Sequence, residues 1–227
     1  MEREEKVVDC LEEKKNNLST PISTSSSSKK TFFALFSAGG HTAEMIALVT
    51  KLDPTWYTPR TYVVAATDAL GHKKAAQAEA ALLSERGRAE ASEASASTST
   101  SSTSPPPPKV ITLPRAREVG QSYLTSVFTT LRALLTAVWI AFAQRPDLLL
   151  VNGPGTCLPV VVATKVAALV FRLCRGRVCY IESIARTRSL SLTGKILYNL
   201  RFADLFFVQW PSLAERFPRA TCAGRLY

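Results

Sequence analysis

An apolar run, Phe32 to Phe36, gives way to Ser37-Ala38-Gly39-Gly40-His41-Thr42, the first residues in the chain whose types and order could do chemistry. Two glycines leave backbone N–H groups open to close approach. A helix opening at Thr42 would add unsatisfied donors and the positive end of its dipole. Such a loop favours an anion, above all a phosphate, against the plainer reading of a tight strand-to-helix turn. It lacks the Lys-Ser/Thr ending of a Walker A loop and the GxGxxG spacing of a dinucleotide loop, so dinucleotide binding would rest on Asp68 standing in for a ribose-binding acid. His41 can bind a phosphate, act as a base or bond to its own loop, and its position leaves all three open.

Further candidates follow later strands. Arg115 and Arg117 lie in the loop after Lys109 to Leu113, and Asn152-Gly153-Pro154-Gly155-Thr156 is a second glycine loop after Asp147 to Val151. Glu182 and Ser183 follow Val178 to Ile181. Glu182 reads either as a structural acid paired with a nearby arginine or as a catalytic group. Ser183 has no nucleophile-elbow glycines around it, which argues against serine hydrolysis. Arg172, Arg175 and Arg177 cluster at the end of an apolar helix expected from Cys157 to about Cys174, a placement suited to a helix C-terminus and to anionic lipid.

These residues need a frame to bring them together. Strands are expected at Thr31 to Phe36, Thr61 to Ala66, Lys109 to Leu113, Asp147 to Val151, Val178 to Ile181 and Asp204 to Val208. Helices are expected at Thr42 to about Leu52, after Asp68, at Ser122 to Ala143, from Cys157, at Thr193 to Leu200 and after Trp210. This alternation predicts an α/β, Rossmann-like, mainly parallel open sheet with helices on both faces. Ligands of such sheets bind beyond the carboxyl ends of the strands, so the candidate loops share one edge. Residues 1–30 read as a charged, Ser-rich disordered N-terminus, and 31–227 as one domain interrupted at about 85–108 by a Ser/Pro tract that cannot bury a core.

The net charge of +10 is unevenly placed: residues 109–227 alone carry +11. That suits a phosphate-rich partner, and the lack of aromatic RNA-binding, zinc or helix-turn-helix patterns points away from nucleic acid. No metal-ligand spacing is present and no cofactor is expected. Cys10, Cys157, Cys174, Cys179 and Cys222 form no CxxC pair and lie mostly in apolar segments, as reduced thiols of a cytosol-facing protein do. The N-terminus has no apolar h-region, so neither a signal peptide nor an N-terminal span is expected. Leu124 to Ala143 is long and apolar with one charge, Arg132. It reads as a domain helix with one face on the sheet, as a helix dipping into a membrane surface, or as a span.

SAGGHTAEM, LPRAREVGQSYLTS, LLLVNGPGTCLPV, YIESIARTRSLSLTGKILY, FFVQWP and the terminal GRLY resemble, in the same order, the family of asparagine-linked glycosylation protein fourteen. In that family Gly-Ser usually stands where Ser37 and Ala38 stand here. The resemblance implies the N-terminal, acceptor-side half of a GT-B glycosyltransferase, part of the transferase that adds the second GlcNAc to dolichyl-pyrophosphate-GlcNAc. Its catalytic partner would be asparagine-linked glycosylation protein thirteen, which holds UDP-GlcNAc, and neither half would act alone. The expected place is the cytosolic face of the endoplasmic reticulum membrane. The resemblance places the acceptor pyrophosphate at the glycine loop, Ser37, Gly39, Gly40 and Thr42, catalysis at His41 and the partner interface at Arg225, Leu226 and Tyr227; the shared sheet edge adds Arg115, Arg117, Asn152 and Gly153 to the pyrophosphate site and Glu182 as a weaker catalytic candidate. The family usually begins with a transmembrane helix. Here either a leading segment is missing or the Leu124 and Leu158 helices attach the chain with Arg172, Arg175 and Arg177. The alternative, from another class, is a self-sufficient nucleotide-binding dehydrogenase or epimerase.

Overall fold

The computed structural model describes residues 31–36, 41–50, 52, 57–66, 71–93, 107–114, 123–153, 155–222 and 224. Short apolar runs form the strands β1 (Phe32–Phe36), β2 (Arg60–Ala65), β3 (Lys109–Leu113), β4 (Leu148–Asn152), β5 (Arg177–Ile181), β6 (Leu205–Val208) and β7 (Thr221–Cys222). Between them lie α1 (His41–Thr50), α2 (Gly71–Glu93), α3 (Tyr123–Gln144), α4 (Cys157–Leu169), α5 (Leu192–Asn199) and α6 (Pro211–Arg216). The strands make one sheet in the order β3-β2-β1-β4-β5-β6-β7, and every described pairing is parallel. All residues of β1 and β2 are buried, as a parallel sheet covered on both faces requires.

Alternate side chains of β1 supply two cores. Phe32, Ala34 and Phe36 pack in one cluster with Met45 and Val49 of α1 and Ala78 and Leu82 of α2. Phe33 and Leu35 join the other, with Ala137, Ile140 and Ala141 of α3, Val160 and Ala163 of α4 and Leu197 of α5. The order therefore reverses between β1 and β4: the helix leaving β1 covers one face and the helix leaving β4 the other. That divergence opens a crevice at the carboxyl ends of the two strands.

Buried polar groups tie the layers. Arg60 at the start of β2 is paired with Glu79 of α2; its Nε donates to Glu79 Oε2 at 3.1 Å, and Tyr62 Oη donates to the same oxygen at 2.7 Å. Burial and the Glu79 carboxylate together push the Tyr62 phenol well above its ordinary range. At the edge away from the crevice, Asp147 accepts from the backbone N–H of Thr31 at 3.1 Å and of Arg175 at 3.3 Å.

Several features differ from the sequence expectation. Helix α2 runs to Glu93, past the expected end near Ser84, because Glu-Arg-Gly-Arg-Ala-Glu is rich in strong helix formers even without an apolar stripe. The first part of the expected insert is thus helical, and 94–106 lie outside the described residues, as do 1–30. Helix α4 ends at Leu169, short of Cys174: Arg172 takes a left-handed conformation (φ 51°), and Gly176 (φ 55°) folds back onto the helix. A Cβ on Gly176 would sit 2.3 Å from the Ala168 Cβ, so this return admits only glycine. The arginines consequently do not share a helix end. Arg172 and Arg175 are exposed in the return loop and Arg177 is half-buried as the first residue of β5. A further difference is β7, a two-residue seventh strand beside β6 that no apolar run announces.

Helix α3 is a domain helix. Ala133, Ala137, Ile140 and Ala141 are buried, so lipid cannot surround it, and no described helix is long and apolar enough to cross a membrane.

Candidate functional site

The crevice begins where β1 and β4 end. Thr42 and Glu44, both buried, lie in the first turn of α1, and Asn152 closes β4 with no exposed surface. Asn152 Nδ2 donates to Glu44 Oε2 at 3.3 Å, which locks the start of α1 to the end of β4 across 108 residues of sequence. Asn152 is therefore a brace of the crevice floor. His41 is the first residue of α1, inside the helix that was expected to open at Thr42. Its side chain lies outside the described residues, as do Ser37, Gly39, Gly40, Asp68, Arg115, Arg117, Arg225, Leu226 and Tyr227.

Past Asn152 the chain turns through Gly153, whose φ of 66° places it in the left-handed region, and starts α4. The next strand end, Glu182, is also fully buried. Its carboxylate accepts from the Ser183 N–H at 3.1 Å, the Ser191 N–H at 2.9 Å and the Ser191 hydroxyl at 3.1 Å. Among the described residues its partners are thus serines of its own loop, whereas the sequence pointed to an arginine. Ser191, nine residues on in the run Ser189-Leu190-Ser191-Leu192-Thr193, gave no cue that it would fold back. Ser191 in turn caps α5 by accepting the Gly194 N–H at 2.9 Å, and shares a 3.0 Å contact with the Tyr180 hydroxyl. Burial first, then the Glu182 charge, push the Tyr180 phenol far up.

Gly194 makes this arrangement possible. A Cβ there would stand 2.3 Å from Glu182 Oε2 and 3.2 Å from the Tyr180 hydroxyl, so any side chain would force the carboxylate to shift. The loop between Glu182 and Ser191 is held from outside as well. Trp210 Nε1 donates to the Ile184 carbonyl at 2.7 Å, Gln209 Nε2 to that of Glu182 at 3.1 Å, Ser212 to that of Thr187 at 3.0 Å and Arg216 to that of Arg188 at 2.6 Å. The basic loop is therefore a rigid wall.

Between this wall and the β4 loop lies an open cavity of about 480 Å³, lined by Gly153, Gly155, Glu182, Ser183, Ala185, Arg186, Ser191, Leu192 and Thr193. Two helices, α4 and α5, begin at its rim, and neither has an acidic residue in its first turn. The Thr156 hydroxyl before α4 has no hydrogen-bond partner among the described residues. Two positive dipole ends and the exposed Arg186 make the cavity attractive to an anion. Of the residues expected to bind pyrophosphate, Gly153 lines it directly and Asn152 stands behind it. Arg186, Leu192 and Thr193 were missed. The run Ser183-Ile184-Ala185-Arg186-Thr187-Arg188 reads as a basic loop, and only the return of Ser191 onto Glu182 turns it toward β4.

No group of three or more potential metal ligands is assembled among the described residues. Cys157, Cys174, Cys179 and Cys222 are free thiols; Cys157 and Cys179 are buried and the other two half-buried. Cys157 donates to the Asn152 carbonyl at 3.7 Å, and burial raises its pKa far above the ordinary thiol value, so it sits behind the crevice as an inert thiol.

The architecture is shared with larger proteins. A MurG of Acinetobacter baumannii superposes with a TM-score of 0.50 at 14% identity over 81% of this chain. A putative UDP-N-acetylglucosamine 2-epimerase of Listeria monocytogenes superposes with a TM-score of 0.52 at 15% identity over 84%. At such identities the likeness concerns the Rossmann-like fold, and this chain spans 42% of each of those chains. Sequence relatives are much nearer. The UDP-N-acetylglucosamine transferase subunit ALG14 of Rattus norvegicus is 39% identical over 83% of this chain and 79% of its own length. The Schizosaccharomyces pombe subunit is 36% identical over 88% and 86%, and the Homo sapiens subunit 35% identical over 83% and 79%. Residues 32–226 match the family described as oligosaccharide biosynthesis protein Alg14 like, so this chain belongs to the Alg14 family.

Proposed function

We propose that this chain is the acceptor-side subunit of a two-chain UDP-N-acetylglucosamine transferase. It would present dolichyl-pyrophosphate-GlcNAc at the cytosolic face of the endoplasmic reticulum membrane and recruit a catalytic partner, asparagine-linked glycosylation protein thirteen, to add the second GlcNAc. Its relatives carry the name of such a transferase subunit, which supports a partner chain, and the geometry supports the side of the reaction. The observation that carries the reading is the anion-suited cavity at the carboxyl edge of β4 and β5, in a chain with a single Rossmann-like sheet. A pyrophosphate there would meet the N-termini of α4 and α5, Gly153 and Arg186, while its sugar reaches toward the start of α1.

In the transfer, an acceptor hydroxyl oxygen attacks the anomeric carbon of UDP-GlcNAc. The bond from that carbon to the phosphate oxygen breaks, UDP leaves with the electron pair, and the hydroxyl proton passes to a base. His41, at the start of α1 beside the β1/β4 divergence, is the candidate base. Glu182, with its carboxylate occupied by three donors, serves the reaction by shaping the wall that carries Arg186.

Titration calorimetry tests this assignment. The isolated chain should bind a short-chain polyprenyl diphosphate-GlcNAc and show no tight binding of NAD, NADP or UDP-GlcNAc. Tight binding of a nicotinamide dinucleotide with none of the acceptor would instead favour the self-sufficient nucleotide enzyme, which the family membership does not support.

A further inference from the structure

We infer that the outward face of α3, continued by the end of α4, is the surface on which this chain lies against an anionic lipid bilayer. The inference rests on the membrane reading of the proposed function and says which residues meet the lipid. Helix α3 is built in reverse of an ordinary core helix. Its small residues Ala133, Ala137 and Ala141, four apart, face inward with Ile140 and pack with the small residues Ala163 and Ala167 of α4 in one core. Its large residues Phe128, Leu131, Leu135 and Trp139 form a second stripe about 200° round the helix from the alanines and stay 51 to 77% exposed. A soluble surface has no use for four large apolar side chains in a row.

The stripe does not stop with the helix. Phe142, near the end of α3, stacks edge-on against Phe171 at 4.7 Å between ring centroids, and Leu169, Val170 and Phe171 are all exposed. One apolar strip thus runs down α3 and across the α4 terminus. Charge identifies what covers it. Neither α3 nor α4 contains an Asp or Glu. Exposed arginines border the strip: Arg132 within α3, Arg145 just after it, and Arg172 and Arg175 just after α4. Asp147, the nearby acid, is engaged by the backbone N–H groups of Thr31 and Arg175. Arg145 and Arg172 both take left-handed backbone conformations (φ 49° and 51°) that glycine occupies more easily, so a positive charge stands where the backbone alone favours none. Apolar side chains with a tryptophan, rimmed by arginine and free of carboxylates, match the boundary between acyl chains and anionic headgroups.

Flotation of the full chain with phosphatidylcholine vesicles, with and without phosphatidylinositol, tests the inference. The wild-type chain should float with the anionic vesicles. Arg145→Gln, Arg172→Gln and Arg175→Gln together should weaken partitioning by about fivefold for each arginine removed. Leu131→Ser, Leu135→Ser and Trp139→Ser together should weaken it roughly a hundredfold. Both variants should unfold like the wild type and, with the partner chain, retain transfer to a water-soluble acceptor, since the replaced side chains are exposed. Flotation of the variants equal to wild type overturns this surface while leaving membrane attachment in place. A wild-type chain that floats with neither vesicle overturns both. Self-association in sedimentation velocity that the Leu/Trp variant abolishes assigns the face to a second copy of the chain and also overturns the inference.

Discussion

Glu182→Gln changes one atom at the centre of the candidate site, and the surrounding geometry says what that costs. The carboxylate is fully buried and takes three donors: one on Oε1, from Ser183, and two on Oε2, from Ser191. A glutamine of the same shape must turn its amide nitrogen toward one of those sites, and the less damaging choice is the Ser183 side. One charge-assisted hydrogen bond is then lost, worth about 1.5–3 kcal/mol, and a buried N–H faces another N–H, at about 1–3 kcal/mol. Allowing for relaxation, the expected destabilisation is about 3–4 kcal/mol, or roughly a 10 °C fall in the thermal midpoint of a domain this size. Circular dichroism melts report it directly. Hydrogen exchange should show the Ser183 amide losing protection, because its acceptor oxygen is replaced by the amide nitrogen, while the Ser191 amide keeps its acceptor. A midpoint within about 2 °C of wild type, too small for the lost bonds, together with a transfer rate lowered a hundredfold with the partner, would refute the reasoning. The carboxylate would then act on the reactants and not on the loop.

Gly194→Ala should destabilise by about 2 kcal/mol in urea unfolding, although alanine is the better helix former by about 1 kcal/mol, because its Cβ meets Glu182 Oε2 at 2.3 Å; a stabilised variant would show that the contact yields. Arg186→Ala removes an exposed cavity-lining charge, so calorimetry should show acceptor binding weakened by about tenfold or more with the melting curve unchanged. Affinity equal to wild type would place the diphosphate elsewhere. Tyr62 and Tyr180 have pKa values raised above the ordinary 10.0 by burial and a neighbouring carboxylate. The stability they contribute is fully present below pH 10 and is lost as pH rises beyond it, when the unfolded chain alone releases these protons. Urea midpoints should thus be insensitive to these groups near neutrality and fall above about pH 10; a midpoint rising there would contradict the burial of both phenols.

How much of this could be read in advance depends on what each feature is made of. Strands β1, β2 and β4 to β6 are apolar runs closed by turn residues, and their burial on both faces is what makes such runs legible. The order reversal at β1 and β4 was not legible, because a right-handed crossover can step to either side of a strand and the alternation of strands and helices is the same for both. Features that depend on contact across space were not legible. Gly176 gives no hint that it must pass within reach of Ala168, so α4 looked longer than it is. Thr221 and Cys222 are too few to show a period. The stripe on α3 was the hardest case, because a helix with alanine on one face and Leu, Phe and Trp on the other is apolar all round, and composition cannot tell which face is wet. At the site, Asn152 and Gly153 stood out by residue type, whereas Arg186 acquires its position only through the Glu182–Ser191 bonds.

The central claim, that this chain is one half of a transferase with the acceptor in its own cavity, is tested most directly by reconstitution. GlcNAc transfer from UDP-GlcNAc to a polyprenyl diphosphate-GlcNAc should be measured for this chain alone, for its catalytic partner alone and for the two mixed. The account predicts no transfer by either chain, transfer by the mixture, and a raised acceptor KM with an unchanged UDP-GlcNAc KM when the mixture contains Arg186→Ala. Robust transfer by this chain alone would contradict it.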